Sequence, residues 1–480
     1  AREIPDPITN FSWGTWVEVH PTTAKELGLK KNKGATLRTA NGTINVGWYG
    51  VPGVRPNTLA LVVGGGKSTS GRYAELGENP ISIINHGFDD IGNLTFSSTK
   101  ATLSANDERN APSPQNELVK SDTLTKNDRY VNFTTSMVDY KDAALVGAGA
   151  VVPEHHLPET SMAMRSRKTD NKFHTAGKDT TAKLTDMYPE PEHPTYRFGM
   201  TLDLNKCNGC NACAAACYAE NNVSIVGPEQ VRLGRNMGWI RMSRYWEGTD
   251  VQETGEADVR FQPVMCQHCS HAPCEGVCPV LATYHNLDGL NAMIYNRCVG
   301  TRYCANNCPY SARRFNFHSY RWPESFNLML NPNVLVREMG VMEKCTFCIQ
   351  RIREFKDEWR DSRDFKQGVA STGDYSRVTA CASACPSDAI SFGNLKDEAS
   401  EVSKQFSDRR AFKMLNELNT KPGVAYLTRI VHAEETFMHH GGHGEHEAAH
   451  GHGHDSDGGH DDHGSDAGHD DGHDHKEKAH

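Results

Sequence analysis

The sequence predicts an α+β chain in four stretches: a small β-rich domain over residues 1–105, an extended connection over 106–192, a second compact domain over 193–432, and a disordered tail over 433–480. Three observations lead there. Short runs of alternating or apolar residues between glycine-marked turns fill the first stretch. Polar and proline-rich patches then replace them. Fifteen cysteines, all that the chain has, fall into four groups between Cys207 and Cys385.

Length and composition set the outer limits. A chain of 480 residues has room for two to three domains. Its net charge of −9 and mean hydropathy of −0.62 give nucleic-acid binding no electrostatic support. No stretch approaches the run of about 18 apolar residues that a membrane helix needs. The best candidate, Ala143 to Val152, is short and made mostly of small side chains. Any membrane spans would have to come from other subunits. The chain has no starting Met and no signal peptide, so Ala1 reads as a processed or truncated beginning.

In the first stretch, Trp16-Val17-Glu18-Val19-His20 alternates as a strand. Thr23-Ala24-Lys25-Glu26 reads as a capping box for a short helix that Gly28 would end. Ala35 to Arg38 and Ile44 to Tyr49 flank Asn41-Gly42, a hairpin signal. Leu59 to Val63 is an apolar strand running into Gly64-Gly65-Gly66-Lys67-Ser68-Thr69. That run is not a phosphate loop, because Leu61 stands where the template needs its first glycine. From 106 to 192, patches such as Tyr188-Pro189-Glu190-Pro191-Glu192 read as an extended connection. Phe198 to Leu204 opens the second domain as a strand. At the far end, His439 to His480 holds thirteen histidines among Gly and Asp, too little apolar surface to fold. Metal scavenging by imidazoles and a plainly solvated tail are equally open for it.

The cysteine runs carry the chemistry. They read Cys207-x2-Cys210-x2-Cys213-x3-Cys217, Cys266-x2-Cys269-x4-Cys274-x3-Cys278-Pro279, Cys298-x5-Cys304-x3-Cys308-Pro309, and Cys345-x2-Cys348 with Cys381-x3-Cys385-Pro386. A Cys-x2-Cys-x2-Cys loop can wrap one inorganic core, and the next cysteine ordinarily ligates a neighbouring cluster, so such motifs work in crossed pairs. Tyr218 after Cys217 departs from the Cys-Pro ending. Disulfides do not suit an odd count with repeated Cys-x2-Cys. Structural zinc would explain the fourth run alone. The reading is iron–sulfur clusters, and spacing alone leaves the pairing of the four runs open. Thr301 stands where the third run calls for a cysteine. Its hydroxyl is a hard, weakly acidic donor that does not replace a thiolate on iron. A three-iron cluster is expected there, the alternative being a four-iron cluster with water or Thr301 on the last iron.

Ala282 to Tyr284 and Ala292 to Tyr295, around Asn286 to Gly289, read as the hairpin of a ferredoxin-like fold. Val264, Met265, Ile294, Phe347, Ile349 and Ile390 lie beside cysteines and would keep water from the clusters. His268, His271 and His318 could tune potentials or be plain surface residues. No nucleophile–base constellation stands out, so no independent catalytic site is expected in this chain.

The cysteine runs resemble those of the four-cluster electron-transfer subunits that accompany molybdopterin oxidoreductases of the dimethyl-sulfoxide-reductase type. That resemblance implies that outer motifs pair and inner motifs pair. One [4Fe-4S] cluster then takes Cys207, Cys210, Cys213 and Cys385. A second takes Cys345, Cys348, Cys381 and Cys217, and a third takes Cys266, Cys269, Cys274 and Cys308. A [3Fe-4S] cluster is left with Cys278, Cys298 and Cys304, with Thr301 in the family's fourth position. Further likeness lies in His20-Pro21 through Ala24-Lys25-Glu26-Leu27-Gly28, in Pro52-Gly53-Val54-Arg55-Pro56 and in Gly71-Arg72-Tyr73-Ala74. These resemble the C-terminal β-barrel of molybdopterin oxidoreductase catalytic subunits. Without the preceding catalytic domains the pocket would be incomplete, so no molybdopterin is expected in this chain and the barrel would dock the cluster domain.

The order of barrel and cluster domain is similar to that of the iron–sulfur subunit of bacterial alternative complex III. The strings Asp203 to Cys213, Trp239-Ile240-Arg241 and Asn296-Arg297-Cys298-Val299-Gly300-Thr301-Arg302-Tyr303-Cys304 carry the likeness. It implies a quinol:cytochrome c oxidoreductase on the outer, periplasmic face of the cytoplasmic membrane. It also implies multihaem and monohaem cytochrome c partners and polysulfide-reductase-type membrane subunits that oxidise quinol. Two other roles stay open: electron-transfer subunit of a molybdenum reductase, and a scaffold whose clusters are redox-inactive.

Overall fold

A computed structural model of the chain describes residues 3–30, 33–66, 76–106, 125–126, 129–130, 134–136, 193–247, 258–320, 322, 324–361 and 373–431. The alternation at Trp16 makes strand β1 (Trp16–Val19), buried along its whole length. Helix α1 (Pro21–Glu26) starts earlier than a cap at Thr23 would allow. Proline fills its first turn, where a missing N–H costs nothing, and His20 is the cap, its Nδ1 accepting from the Thr22 N–H at 3.2 Å. Thr23 lies inside the helix, and its hydroxyl accepts instead from the Asn57 N–H. Gly28, at φ +64, ends the helix as expected.

Strands β2 (Gly34–Thr39) and β3 (Gly42–Gly50) form the expected hairpin. Its turn is one residue early: Thr39 pairs with Gly42, so Ala40 and Asn41 turn the chain and Gly42 already belongs to the strand. The strand expected over Leu59 to Val63 is shorter, β4 (Leu59–Leu61). With β5 (Ala101–Asn106) these make one mixed sheet ordered β4-β1-β3-β2-β5, in which β1 and β3 run parallel. Val17, Val19, Ala35, Leu37, Val46 and Leu103 face Ala24 of α1 in its core. Among the described residues β4 and β5 are edges, so the expected barrel is here an open sheet.

Lys67-Ser68-Thr69, Gly71 to Ala74, Ala143 to Val152, Tyr188 to Glu192 and the histidine-rich tail lie outside the described residues. Within the stretch expected to be an extended connection, β6 (Thr125–Lys126) pairs with β7 (Arg129–Tyr130). The next strand, β8 (Thr134–Ser136), pairs in parallel with β19 (Arg429–Val431) near the end of the described chain.

The cysteine-bearing domain opens with β9 (Phe198–Asp203), whose six residues are all buried because both of its edges and faces are covered. Helices α2 (Ala212–Glu220) and α3 (Pro228–Arg232) follow, then the hairpin β10 (Arg241–Glu247) with β11 (Asp258–Val264). The short hairpin is β12 (Thr283–His285) with β13 (Asn291–Met293); β12 lies one residue later than expected, and β13 starts one residue earlier and ends two earlier. Asn286 sets that turn, its Oδ1 accepting from the N–H groups of Asp288 and Leu290. Next come α4 (Tyr303–Asn306), β14 (Arg314–Phe315), β15 (Met342–Glu343), α5 (Ile349–Asp361) and α6 (Ala380–Ser383). The last elements are β16 (Ile390–Asn394), α7 (Glu401–Phe406), β17 (Ala411–Phe412) and β18 (Val424–Leu427). A four-stranded sheet ordered β16-β9-β18-β17 backs the domain. Phe198, Phe347, Phe392 and Tyr426 share one core with cysteines of the first, second and fourth runs, and Cys308 of the third packs against it.

Residues 3–8 reach beyond the first sheet, while Phe11 packs edge-on against Trp16 and Tyr49 of that sheet. Glu3 is buried, and its Oε2 accepts from the N–H groups of Val226 and Gly227 at 2.7 and 2.9 Å. The Asn211 side chain donates to the Pro5 carbonyl at 2.8 Å, and Arg244 donates to the Ile8 carbonyl. Ala1–Gly441 accordingly form one compact unit.

Candidate metal centres

Two cysteine loops share one backbone. In the first, Gly209 has φ +73, Asn211 has φ +61, and α2 follows, carrying Cys213 and Cys217. In the third, Gly300 has φ +73, Arg302 has φ +64, and α4 follows, carrying Cys304. A glycine suits the first left-handed position because nothing larger fits: a Cβ on Gly209 would lie 2.8 Å from the Phe261 ring, and one on Gly300 only 2.4 Å from the Gly340 carbonyl oxygen. The match of these φ values places Thr301 where the first loop has Cys210.

The fold gathers cysteines from distant motifs. Cys207, Cys210, Cys213 and Cys385 line one cavity together with Leu202, Met242 and Ile390. Cys278, Cys298, Cys304 and Thr301 line another with Met293 and Met342. The wholly buried Cys217 thiol is pushed well up, by burial first and then by Cys345, Cys348 and Cys381 around it. Cys269 is likewise pushed up by burial and by Cys266, Cys308 and Cys274.

Neighbouring gatherings also act on one another electrostatically. Cys381 is the leading charged neighbour acting on Cys213, and Cys266 acts on Cys345 after Cys381. Arg313 links the remaining two, donating to the Cys274 Sγ at 3.0 Å and reaching Cys304. All fifteen thiols are free.

Burial governs their electrostatics. Desolvation pushes Cys274 up to about 11 and Cys348 up to about 12, because a thiolate loses its hydration away from water. Buried thiols crowded in this way would stay protonated unless a cation drew them into the thiolate form, which is the condition a ligand set needs. Cys278 differs: burial works against its thiolate, but the N–H groups of Val280, Ala282 and Thr283 outweigh it and hold the thiol below its usual range. Backbone N–H groups also point at sulfur from Met342 to Cys298 (3.4 Å), from Phe347 to Cys345 (3.5 Å) and from Ala389 to Cys385 (3.3 Å). Among the described residues no three His, Cys, Asp or Glu side chains converge as a single-ion site requires. The donor set is all sulfur and spread around cavities, which fits iron–sulfur clusters.

Of the apolar residues expected near the cysteines, Val264, Met265, Phe347 and Ile390 are buried, while Ile294 and Ile349 are half-buried. His268 is buried and stacks on Phe347 with ring centroids 3.8 Å apart. Burial, then the Lys344 charge, holds its imidazole well below the usual range. His318 is exposed, against Tyr320. Nothing in the sequence points to Arg313 or Asn221. Asn221 Nδ2 donates to Cys217 Sγ at 3.6 Å and to Cys348 Sγ at 3.7 Å. Its partners lie as far as 127 residues away, so no local signal marks it.

Two family profiles, both described as 4Fe-4S dicluster domain, match residues 200–282 and 257–324. The chain is 40% identical over 235 residues to the menaquinone reductase iron–sulfur cluster-binding subunit of Nitratidesulfovibrio vulgaris, covering 48% of this chain and 89% of that protein. It is 33% identical over 255 residues to the Hdr-like menaquinol oxidoreductase iron–sulfur subunit 1 of Archaeoglobus fulgidus, covering 50% and 86%. A polysulfide reductase chain of Wolinella succinogenes is 28% identical over 226 residues, covering 47% and 91%. The cysteine-bearing half is thus a pair of tandem dicluster, ferredoxin-like units. This protein belongs to the iron–sulfur cluster-binding, electron-transfer subunits of dimethyl-sulfoxide-reductase-type and polysulfide-reductase-like complexes.

Proposed function

We propose that this chain is the electron-transfer subunit of a membrane-associated quinol:cytochrome c oxidoreductase of the alternative complex III kind, holding three [4Fe-4S] clusters and one [3Fe-4S] cluster. The observation that carries it is the gathering of cysteines from distant runs into shared sites, one of them with Thr301 in a cysteine's place. Cys207, Cys210, Cys213 and Cys385 would hold one cluster, Cys217, Cys345, Cys348 and Cys381 the second, and Cys266, Cys269, Cys274 and Cys308 the third. Cys278, Cys298 and Cys304 would hold the three-iron cluster. When bound, such clusters supply one-electron carriers over a wide span of potential. The chain's own contribution is to bury nine of the fifteen thiols, to aim N–H groups at sulfur, and to bring cysteines of distant runs together.

Among the described residues no helix is long and apolar enough to cross a membrane. Polysulfide-reductase-type membrane subunits would therefore supply the quinol site, with multihaem and monohaem cytochromes c as acceptors on the periplasmic face. The sheet β4-β1-β3-β2-β5 would be the remnant of a molybdopterin-dinucleotide-binding barrel, serving to dock the cluster domain. Fold alone does not bring cofactor binding with it. A reductase complex is the second reading, favoured by relatives such as a selenate reductase subunit of Mesobacillus selenatarsenatis, 30% identical.

Metal analysis of the intact complex, with low-temperature EPR, tests both readings. Fifteen irons per chain, a three-iron signal in the oxidised state, no molybdenum, and cluster reduction by a quinol analogue are expected. Stoichiometric molybdenum would select the reductase. Clusters that no quinol reduces would leave only a structural scaffold.

A further inference from the structure

Arg313 lies just after the third cysteine run, immediately before β14, with 6% of its surface exposed. One terminal nitrogen donates to the Cys274 Sγ at 3.0 Å and to the Asn291 Oδ1 at 3.1 Å. The other donates to the Thr283 hydroxyl at 3.0 Å and approaches the Met293 sulfur at 3.8 Å. Thr283 and Met293 line the cavity of Cys278, Cys298 and Cys304. The planar fork therefore has one prong at each of two neighbouring sulfur sites.

Its charge has no carboxylate to answer it. Among the described residues no Asp or Glu forms an ion pair with Arg313. The nearest candidate in its network, Glu275, is taken up by His285 at 2.7 Å and by the Asn291 side chain. The second buried cation here, Lys344, donates to the carbonyls of Asn291 and Cys345 rather than to sulfur. A buried guanidinium without an anion is strongly unfavourable. The groups that favour its charged form are Cys274, Cys304 and Cys266.

We propose that Arg313 is a positioning cation shared by the Cys274 and Cys304 sites, which raises the reduction potentials of both centres together. This rests on the reading above that the two sites hold different clusters. A thiolate-bound cluster is anionic and becomes more so on taking an electron, so a fixed cation at its sulfur favours the reduced state. A hydrogen bond to a charged acceptor strengthens with that charge. One rigid fork spanning both sites makes the two potentials move in concert, which a lysine's single ammonium does less well.

The test is an EPR-monitored redox titration of the assembled complex carrying Arg313→Gln or Arg313→Lys, with iron and acid-labile sulfide counted on the same samples. In Arg313→Gln the reduction equilibrium of both centres should fall at least tenfold, which is about 59 mV for a one-electron couple. Arg313→Lys should show a smaller fall in both. Loss of those two clusters alone, leaving eight irons, also supports the shared role. If Arg313→Gln loses every cluster, Arg313→Lys decides. A shift confined to one centre, or unchanged potentials in both variants, overturns the proposal. Wild-type complex lacking a three-iron signal would instead refute the underlying cluster assignment.

Discussion

A threonine hydroxyl at 301 and a thiol at 210 sit on loops of matching conformation, so the difference between their sites lies in the donor atom rather than in the backbone. Oxygen there is too hard and too weakly acidic to take the thiolate's place. Thr301→Cys should therefore raise the iron count from fifteen to sixteen per chain and abolish the three-iron EPR signal of the oxidised protein. An unchanged count would mean that the cavity of Cys278, Cys298 and Cys304 holds its metal for reasons other than donor type. The four cysteine runs and the threonine at 301 are read from spacing alone, because such motifs are local. Arg313 and Asn221 are not, since what makes them matter is a sulfur contributed by a distant stretch of chain.

At the scale of elements, the segment 3–12 is held to the cluster domain by a buried carboxylate. Burial is the largest influence on Glu3 and raises its pKa from 4.5 to about 7, against the lowering effect of its backbone hydrogen bonds to Gly227 and Val226. The folded chain thus keeps a proton that the unfolded chain would release. Stability is greatest below about pH 4.5 on this account and declines as pH rises through about 7. Glu18, pushed up to about 7 by burial and by Asp6, acts in the same direction. Urea midpoints between pH 5 and 8 should fall for the wild type and fall less for Glu3→Gln, the Glu3 share being on the order of 3 kcal/mol at most.

A second element-scale outcome concerns the loop before α4. Gly300→Ala would force a Cβ onto the Gly340 carbonyl at a left-handed φ, costing on the order of 1–3 kcal/mol. Iron analysis should show the three-cysteine centre lost first, with the other three retained. The strands and both hairpins of the expected pattern were readable from alternation and turn residues. The start of α1 was not, because histidine is an uncommon cap, and its acceptance of the Thr22 N–H depends on the ring's placement.

For the whole molecule, the tandem ferredoxin-like part was readable from its cysteine runs, while the way the parts interlock was not. Nothing in the composition of residues 3–8 signals that they reach the cysteine-bearing domain, and the pairing of β8 with β19 joins residues almost three hundred positions apart. Cysteines of all four runs lie in or against the main apolar core, so cofactor and core are one structure. Stripping the metal with a chelator under reducing conditions should lower Tm by well over about 10 °C, since structural metal binding is folding free energy; a Tm unmoved by chelation would show that the core stands without it. The cavity shared by Cys207 and Cys385 also sets a timetable for biogenesis. Its last wall is encoded 178 residues after its first (385 minus 207), roughly 10–35 s later on a ribosome moving at about 5–20 residues per second. Delivery of inorganic sulfur and iron to that wall must wait until the fourth run has been made, so a carrier or chaperone that shelters half-made thiols from oxygen would have to act throughout that interval.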